Sequence, residues 1–567
     1  MDLELSLPLM IRLSAFLFLF STAFLRAEIT PIDLAVVHYP AAKEREKTET
    51  FLSWHLKTDT PAQRGQSQKG YEILAASSKK ALANGKADLW QNRQEKSGAQ
   101  LYLPWEGKPL KNGAPVFWKV RLLDQAGKWT SWSEPATFTL GEKRDLPPIK
   151  RTSTFESDFA PLDESMKKGL TFLEGSLPQI NKDQGTLKFV TQGAQVALSA
   201  RAAFFHFNAA PHLRRYLLDL HAAADGRGLF PASPSSTKGG PGSSDAGIYL
   251  AQDYYWMTGD TRLIASQFPI MDQHMVAREN EDRTFRGRVW GEVPIALTSP
   301  KVPTDSAYLD LAYIGYATRL MSQLAGPGNE PMTSIRYTDF ASRLRKSVAA
   351  NFLDENQLPQ PLTQTALLAG IRSQILPKEE QASHLAKLTE LLEKDGLQAE
   401  PLGLAWLFPT LTLTNQTDLL MDLIEANAKD WQDGKGEKVP PALLTWAVNS
   451  VLGIDVAGQG FAQISVHPRV PRHPKLTRAS GSVQTPRGAV EVAWERKNKT
   501  FTMDLTVPPG MTAIANMPTS DAKKLTENGQ KVIAKDSKIT AIPSGSPAGY
   551  QTLLLTSGQY SFSSPLE

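Results

Sequence analysis

The chain of 567 residues contains no cysteine. Disulfide bonds, zinc–thiolate sites and thiol nucleophiles are therefore excluded, and a fold of this size must be stabilised by buried apolar side chains. Positive and negative charges are also nearly balanced, since the chain has 62 Lys and Arg residues and 58 Asp and Glu residues, for a formal net charge of +4. No run of basic residues indicates a nucleic-acid-binding surface, so we expect no nucleic-acid partner.

Long hydrophobic runs are scarce as well. The run at residues 13–25, LSAFLFLFSTAFL, follows Arg12 and ends close to Ala27. It is short for a bilayer span and has the length of the apolar part of a secretory signal. We therefore predict a signal peptide over residues 1–27, with a single membrane anchor as the alternative. Export together with the lack of cysteine indicates a secreted or periplasmic bacterial protein, without a stable membrane span after cleavage.

The rest of the chain changes its hydrophobic pattern twice. Residues 28–142 show the period-two alternation of β-strands, for example in VFWKVRLLD, and residues 143–151 form a polar, proline-containing linker. Residues 152–454 carry apolar side chains at i, i+3, i+4 and i+7, as in amphipathic helices. Residues 455–567 return to strand-like alternation. The pattern predicts a β-sandwich, a toroid of helical hairpins and a second β-sandwich.

Several segments carry a likeness to a known family: 64–90, 107–141, 151–172, 445–470 and 485–513. Together they resemble the bacterial α-L-rhamnosidase family of glycoside hydrolases. The resemblance implies an N-terminal fibronectin-III-like β-sandwich, a central (α/α)6 six-hairpin barrel and a C-terminal β-sandwich. It also implies a carbohydrate partner, most simply a rhamnose-containing glycan.

The carboxylates of that family are missing where its catalytic loop aligns. In the stretch NKDQGTLKFVTQGA, Asn181, Thr186 and Gly193 stand where the family has Asp, Glu and Asp. Neither an amide nor a hydroxyl exchanges a proton near neutral pH, and glycine has no side chain to do so. The late loop with the base Glu is also not found, since only QDGKGEKVP lies between Trp431 and Pro441. The sequence therefore predicts a catalytically impaired, glycan-binding relative, a pseudoenzyme.

Three other carboxylates are candidates for relocated catalytic groups: Asp245, Glu292 and Asp183. Inverting hydrolysis needs two carboxyl groups roughly 6.5–9.5 Å apart across the sugar. If two of the three meet there, the chain is an active, divergent inverting hydrolase of rhamnosides or related polysaccharide side chains. The alternatives are that Asp245 caps a helix and that Glu292 is a solvated loop charge.

Aromatic rings are the other half of a sugar site, because the CH faces of a pyranose stack on them. The candidates for substrate binding are Trp256, Tyr308, Trp406 and Trp431, with Tyr313 beside them. Packing in the core is the alternative for each of them. The histidine spacing lacks an HxxxH pair and no phosphate-binding glycine motif is found, so we expect no metal and no cofactor. A structural module that touches no sugar is a further alternative.

Overall fold

A computed structural model describes residues 29–39, 49–140, 148–177, 179–181, 186–188, 193–234, 242–287, 302–532, 538–542 and 545–566. The signal-peptide prediction lies outside the described residues, as do the candidates Asp183 and Glu292. Within the described part of the chain, every helix is too short or too polar to traverse a bilayer. The three-part order of β-sandwich, helical barrel and β-sandwich is confirmed.

The N-terminal domain is a sandwich of two antiparallel sheets, ordered β1-β2-β5 and β4-β3-β6-β7. Trp54 and Trp118 are completely buried between the sheets, as alternation along the strands predicts. Its elements are β1 (Ile29–Tyr39), β2 (Glu49–Thr58), β3 (Gln68–Ala76), α1 (Lys79–Ala83), β4 (Trp90–Gln94), β5 (Leu103–Pro104), β6 (Pro115–Asp124) and β7 (Ala136–Thr139).

Two further tryptophans of this domain lie on its outer face, each beside cationic side chains. The guanidinium of Arg121 lies 5.0 Å from the ring centre of Trp129 and 4.8 Å from that of Trp132. Arg93 and Lys119 lie over the same two rings, at 4.8 Å and 5.0 Å. Cation–π contacts of this kind stabilise the sheet face and occupy the ring surface on which a sugar would stack.

The central domain is built from helical hairpins. Among the described residues, α3, α5, α7, α9, α11 and α13 contact one another in that order, and α13 contacts α3, so that they close a ring. The intervening even-numbered helices lie outside the ring. The bounds are α2 (Ala160–Ser176), α3 (Gly193–His206), α4 (Ala210–Ala222), α5 (Ala246–Thr258), α6 (Thr261–Glu281), α7 (Ser306–Leu324), α8 (Thr333–Phe352), α9 (Gln364–Ser373), α10 (Gln381–Asp395), α11 (Pro401–Leu413), α12 (Thr417–Gln432) and α13 (Pro441–Trp446).

Hydrophobic patterning decides which helices lie inside. The outer helix α8 buries one stripe, Tyr337, Phe340, Leu344 and Val348, whereas the inner helix α5 is buried around nearly its whole circumference. Because each outer helix returns the chain, the inner helices are parallel. Their first residues share one end of the barrel, here called the N-terminal end, and their last residues share the C-terminal end.

The C-terminal domain has two sheets, ordered β11-β12-β16-β20-β19 and β18-β17-β21-β15-β14-β13-β8. Its strands are β8 (Ser153–Ser157), β11 (Ile454–Val456), β12 (Gln463–Val466), β13 (Arg478–Thr485), β14 (Gly488–Lys497), β15 (Thr500–Val507), β16 (Thr512–Pro518), β17 (Thr526–Glu527), β18 (Gln530–Lys531), β19 (Ile539–Ile542), β20 (Tyr550–Leu555) and β21 (Gly558–Pro565). Strand β8 precedes every helix of the barrel, so the segment that the sequence assigns to helices begins with an edge strand of this sheet.

The two β-domains also contact each other directly. Arg64 of the N-terminal domain forms an ion pair with Glu527, and its guanidinium lies 4.3 Å from the ring centre of Tyr560. The Ser557 hydroxyl donates a hydrogen bond to the Gln66 carbonyl at 2.7 Å. Both partners of the ion pair are largely buried, which makes this contact stronger than an exposed ion pair.

His206 joins the barrel to strand β8. Its ring is completely buried, with Nε2 3.0 Å from the Leu444 carbonyl oxygen and Nδ1 2.6 Å from the Ser153 hydroxyl. Nε2–H donates to the carbonyl, so Nδ1 accepts from the serine and the ring is neutral. Burial lowers the pKa of His206 from 6.5 to about 4.

This burial predicts a loss of stability in mild acid. Between pH 6.5 and 4 the unfolded chain protonates the histidine and the folded chain does not, so stability falls as the pH is lowered, by up to about 1.4 kcal/mol per pH unit for one group. We expect His206→Gln, measured by urea unfolding at pH 7 and pH 5, to show a smaller difference between the two pH values than the unmodified protein. Equal differences in the His206→Gln variant and the unmodified protein would contradict the prediction.

Candidate functional site

A short hairpin leads into the first inner helix at the N-terminal end of the barrel. Strands β9 (Gln179–Asn181) and β10 (Thr186–Lys188) are antiparallel, and Asn181 is the backbone partner of Thr186. These are two of the positions at which the resemblance implies carboxylates. Helix α3 begins shortly after, at Gly193, the third such position. The described parts of the aligned stretch, namely the two strands and the start of α3, thus carry neutral residues at all three positions.

Asp245 lies at the same end, immediately before α5, and is completely buried. One carboxylate oxygen lies 2.9 Å from His274 Nε2 and 3.3 Å from Arg278 Nε. Nη2 of the same Arg278 guanidinium donates a hydrogen bond to Asp310 Oδ1 at 2.6 Å. Although Asp245 occupies the position of a helix cap, its carboxylate makes no capping hydrogen bond to the described backbone of α5. It therefore serves an internal ion-pair cluster.

The cluster holds Asp245 in its ionised form. The backbone N–H of Phe230 donates to His274 Nδ1 at 3.1 Å, so the proton of this imidazole lies on Nε2 and points to Asp245. Burial alone would raise the pKa of Asp245, but the Arg278 charge and the His274 N–H outweigh it and bring the pKa below its usual value. A carboxylate held ionised cannot deliver a proton to a leaving group, so Asp245 does not fit the role of general acid.

A central cavity of about 460 Å³ lies inside the ring and receives side chains from each of the six inner helices described and from the C-terminal domain. Aromatic residues form one wall. The rings of Tyr313 and Trp406 stack with their centres 4.6 Å apart, and Tyr316 meets Trp406 edge-on at 5.7 Å. The Tyr313 hydroxyl donates to the Leu402 carbonyl, which fixes this wall to the start of α11.

Two carboxylates face the same cavity and share one arginine. Arg201 on α3 binds Asp455 of β11 at 2.6 Å and Asp253 of α5 at 3.3 Å. Burial raises the pKa of Asp253 although Arg201 opposes the rise. The two acidic groups raise the pKa of Arg201 despite its burial, so the guanidinium stays charged. The arrangement brings a carboxyl group whose pKa is raised by burial close to a second carboxylate.

Of the four aromatic residues predicted to bind substrate, the structure brings Trp406 to the central cavity. Tyr308 is buried in the core, where its hydroxyl donates to the Ala366 carbonyl at 2.9 Å. Trp431 is buried on the outer helix α12, and Trp256 is half-buried on α5 against Tyr255. For these three the contacts are those of core packing, the alternative that the sequence left open.

Sequence reasoning missed Arg201, Asp253 and Asp455. A signal was present for two of them, because Arg201 and Asp253 are the sole charged residues of α3 and α5 respectively. A lone charge in an otherwise apolar helix requires a buried partner. No group of three or more His, Asp or Glu side chains suited to a metal occurs within the described ranges.

Comparisons with known proteins agree with this architecture domain by domain. Residues 31–143 match the model of a Rha78A-like, N-terminal immunoglobulin domain. Residues 192–432 match the bacterial alpha-L-rhamnosidase 6 hairpin glycosidase domain. Residues 453–532 match the bacterial alpha-L-rhamnosidase C-terminal domain. The three models follow one another in the same order as the three domains of the structure.

Curated relatives are similar over part of their length. An alpha-L-rhamnosidase of Streptomyces avermitilis is 23% identical over 355 residues, which are 56% of this chain and 34% of the relative. One of Alteromonas sp. is 24% identical over 313 residues, 48% of this chain and 34% of the relative. The matches therefore span about a third of the length of these relatives.

Solved structures share the fold over nearly the whole chain. An α-L-rhamnosidase from Dictyoglumus thermophilum superposes with a TM-score of 0.78 at 13% identity, over 94% of this chain and 99% of that one. The enzyme from Aspergillus terreus gives 0.74 at 11% identity, over 95% and 100%. That of S. avermitilis in complex with L-rhamnose gives 0.64 at 16% identity, over 95% and 54%. These structures show the fold, and the three domain models, matched in order along the chain, show that it belongs to the bacterial α-L-rhamnosidase family of glycoside hydrolases.

Proposed function

We propose that the chain is an exported bacterial rhamnosidase-like protein that binds a rhamnose-containing glycan in the central cavity and is impaired in hydrolysis. The observation that carries this proposal is the hairpin before α3, where Asn181 and Thr186 are backbone partners at two positions that the family fills with carboxylates. A binding function retains the barrel and its cavity, whereas an inverting mechanism needs a protonated and an ionised carboxyl group on either side of the sugar.

The central cavity supports the binding half of the proposal. Its volume of about 460 Å³ lies within the range of roughly 300–1,000 Å³ typical of small-molecule sites. Trp406 and Tyr316 supply apolar ring surface, while Asn449 and Ser465 supply polar groups for sugar hydroxyls. This mixture of stacking surface and hydrogen-bonding groups is what a pyranose requires.

The surroundings of Asp245 support the second part of the proposal, that hydrolysis is impaired. Asp245 was one of the three candidates for relocated catalytic groups, but it is ionised, completely buried and bound to Arg278 and His274. It is also not among the described residues that line the central cavity. A group in this position stabilises the barrel and does not reach a substrate.

One observation favours the second candidate function, an active divergent hydrolase. Asp253 and Asp455 both line the central cavity, and burial raises the pKa of Asp253. In such an enzyme Asp253 would protonate the leaving oxygen and Asp455 would activate water. Arg201 opposes this assignment, since its charge pairs with both groups and lowers the pKa of Asp253 against the effect of burial.

Blocking the central cavity tests the binding function. Ala442, a partly buried residue of the cavity wall, is replaced with Trp so that the indole fills space that the sugar needs. We expect the Kd of methyl α-L-rhamnoside, measured by isothermal titration calorimetry, to rise at least about tenfold. The matched change Ala350→Trp, at an exposed position of α8, should leave the Kd unaltered. Equal affinities in the two variants would contradict the assignment of the cavity.

Hydrolysis of p-nitrophenyl α-L-rhamnoside separates the two functions. We expect the full chain, assayed between pH 4 and pH 8, to release p-nitrophenol no faster than its Asp253→Asn and Asp455→Asn variants, because the impaired site has no proton-handling pair. The control is Asp219→Asn on the outer helix α4. A bell-shaped pH profile that Asp253→Asn abolishes and Asp219→Asn preserves would establish the active hydrolase instead.

A further inference from the structure

A second cavity, of about 380 Å³, opens at the C-terminal end of the barrel. It lies between the ends of α9 and α11 and the first turn of α10, and so at the opposite end from Asp245. Two arginines, a lysine and a histidine line it, namely Arg319, Arg372, Lys378 and His384. No Asp or Glu occurs among the described residues of its wall. The wall is thus cationic without an internal counter-charge.

The two arginines have no acidic partner in the described structure. Arg319 lies 4.9 Å from the ring centre of Tyr316, and no carboxylate of the described residues forms an ion pair with it or with Arg372. Burial lowers the pKa of Arg372, and the nearby charges of Arg319 and Arg201 lower it further. Uncompensated positive charge in a partly buried wall is unfavourable, and a bound anion removes the penalty.

Buried polar atoms without hydrogen bonds cluster in the same wall. They are Nε of Arg319, Nε of Arg372, Nδ1 of His384 and Oγ1 of Thr410. The side chains of His384 and Thr410 are 0% and 2% exposed. Since His384 Nε2 donates to the Gln357 carbonyl at 2.8 Å, its Nδ1 keeps a lone pair that accepts a hydrogen bond. Thr410 offers a hydroxyl that both donates and accepts. An accepting nitrogen and a hydroxyl beside two guanidinium groups suit a hydroxylated anion.

We propose that this second cavity binds an anionic sugar unit, with its acidic group between Arg319 and Arg372 and a hydroxyl against His384 and Thr410. Guanidinium groups bind planar and tetrahedral oxyanions through paired N–H donors, which favours them over ammonium groups at such a site. Arg372 and Leu413 line both cavities. A glycan with a neutral unit in the central cavity therefore has its next, acidic unit here; this extension rests on the proposed function, while the anion site rests on its own residues.

Calorimetry with sugars that differ only at C6 tests the proposal on the full chain. The probes are D-glucose, D-glucuronate, D-glucose 6-sulfate and D-glucose 6-phosphate. We expect at least one anionic probe to bind at least about tenfold more tightly than D-glucose, and more weakly as the salt concentration rises. The tightest of the three identifies the acidic group as carboxylate, sulfate or phosphate. Equal binding of all four probes would overturn the proposal.

Three variants locate the site. Arg319→Met removes the charge but keeps most of the apolar stem, and Lys378→Glu reverses an exposed charge at the rim without disturbing the core. Both should abolish the preference for the anionic probe, while Arg215→Met on the outer helix α4 should preserve it. A preference that survives both Arg319→Met and Lys378→Glu would show that the anion binds elsewhere and overturn the assignment.

Methyl α-L-rhamnoside separates this proposal from the proposed function. Lys378 lines the second cavity, is exposed and is not among the described residues of the central one, so Lys378→Glu should leave the affinity for methyl α-L-rhamnoside unchanged. If the rhamnoside fails to bind the unmodified chain, the glycan-binding function is refuted, and the anionic probes still report on the second cavity alone.

Discussion

The three-way contact of Arg201 with Asp253 and Asp455 is the interaction on which the centre of the molecule depends. It joins the first inner helix, the second inner helix and strand β11 of the C-terminal domain within one ion-pair group. Buried charges are tolerated only when paired, and removal of one partner leaves the others uncompensated. This contact therefore fixes the junction between barrel and C-terminal domain at the same point at which the central cavity receives its carboxylates.

The charged side chains at the two ends of the barrel match the partial charges of the helix termini there. Asp245 lies immediately before the inner helix α5, whereas Arg372 lies in the last turn of α9. Helix termini carry a partial positive charge at the N-terminus and a partial negative charge at the C-terminus, so each group lies at the favourable end. The partial charge of a helix end offsets a full charge only in part. At the N-terminal end of the barrel, Arg278 supplies the positive charge that pairs with Asp245. At the C-terminal end, Arg319 and Arg372 have no acidic partner among the described residues.

The fold could be predicted from the sequence because hydrophobic period is a local property. Alternation in VFWKVRLLD and the buried stripe of α8 each lie within one element, and the resemblance to the family set their order. The site could not be predicted in the same way, because its partners are distant. Asp245 looked like a cap or a catalytic group until His274 and Arg278, on the following helix, were seen to bind it. Arg201 and Asp253 were visible as lone charges in apolar helices, but Asp455 lies 254 residues after Arg201.

Strand β8 has a consequence for how the molecule assembles. Ser157 pairs with Ala479, so the residues just before the barrel and those just after it meet in one sheet. During synthesis β8 is made long before β13, and it has no sheet to join until the last domain emerges. Completion of the C-terminal sheet therefore joins the segment that precedes the first helix of the barrel to the domain that follows the last one.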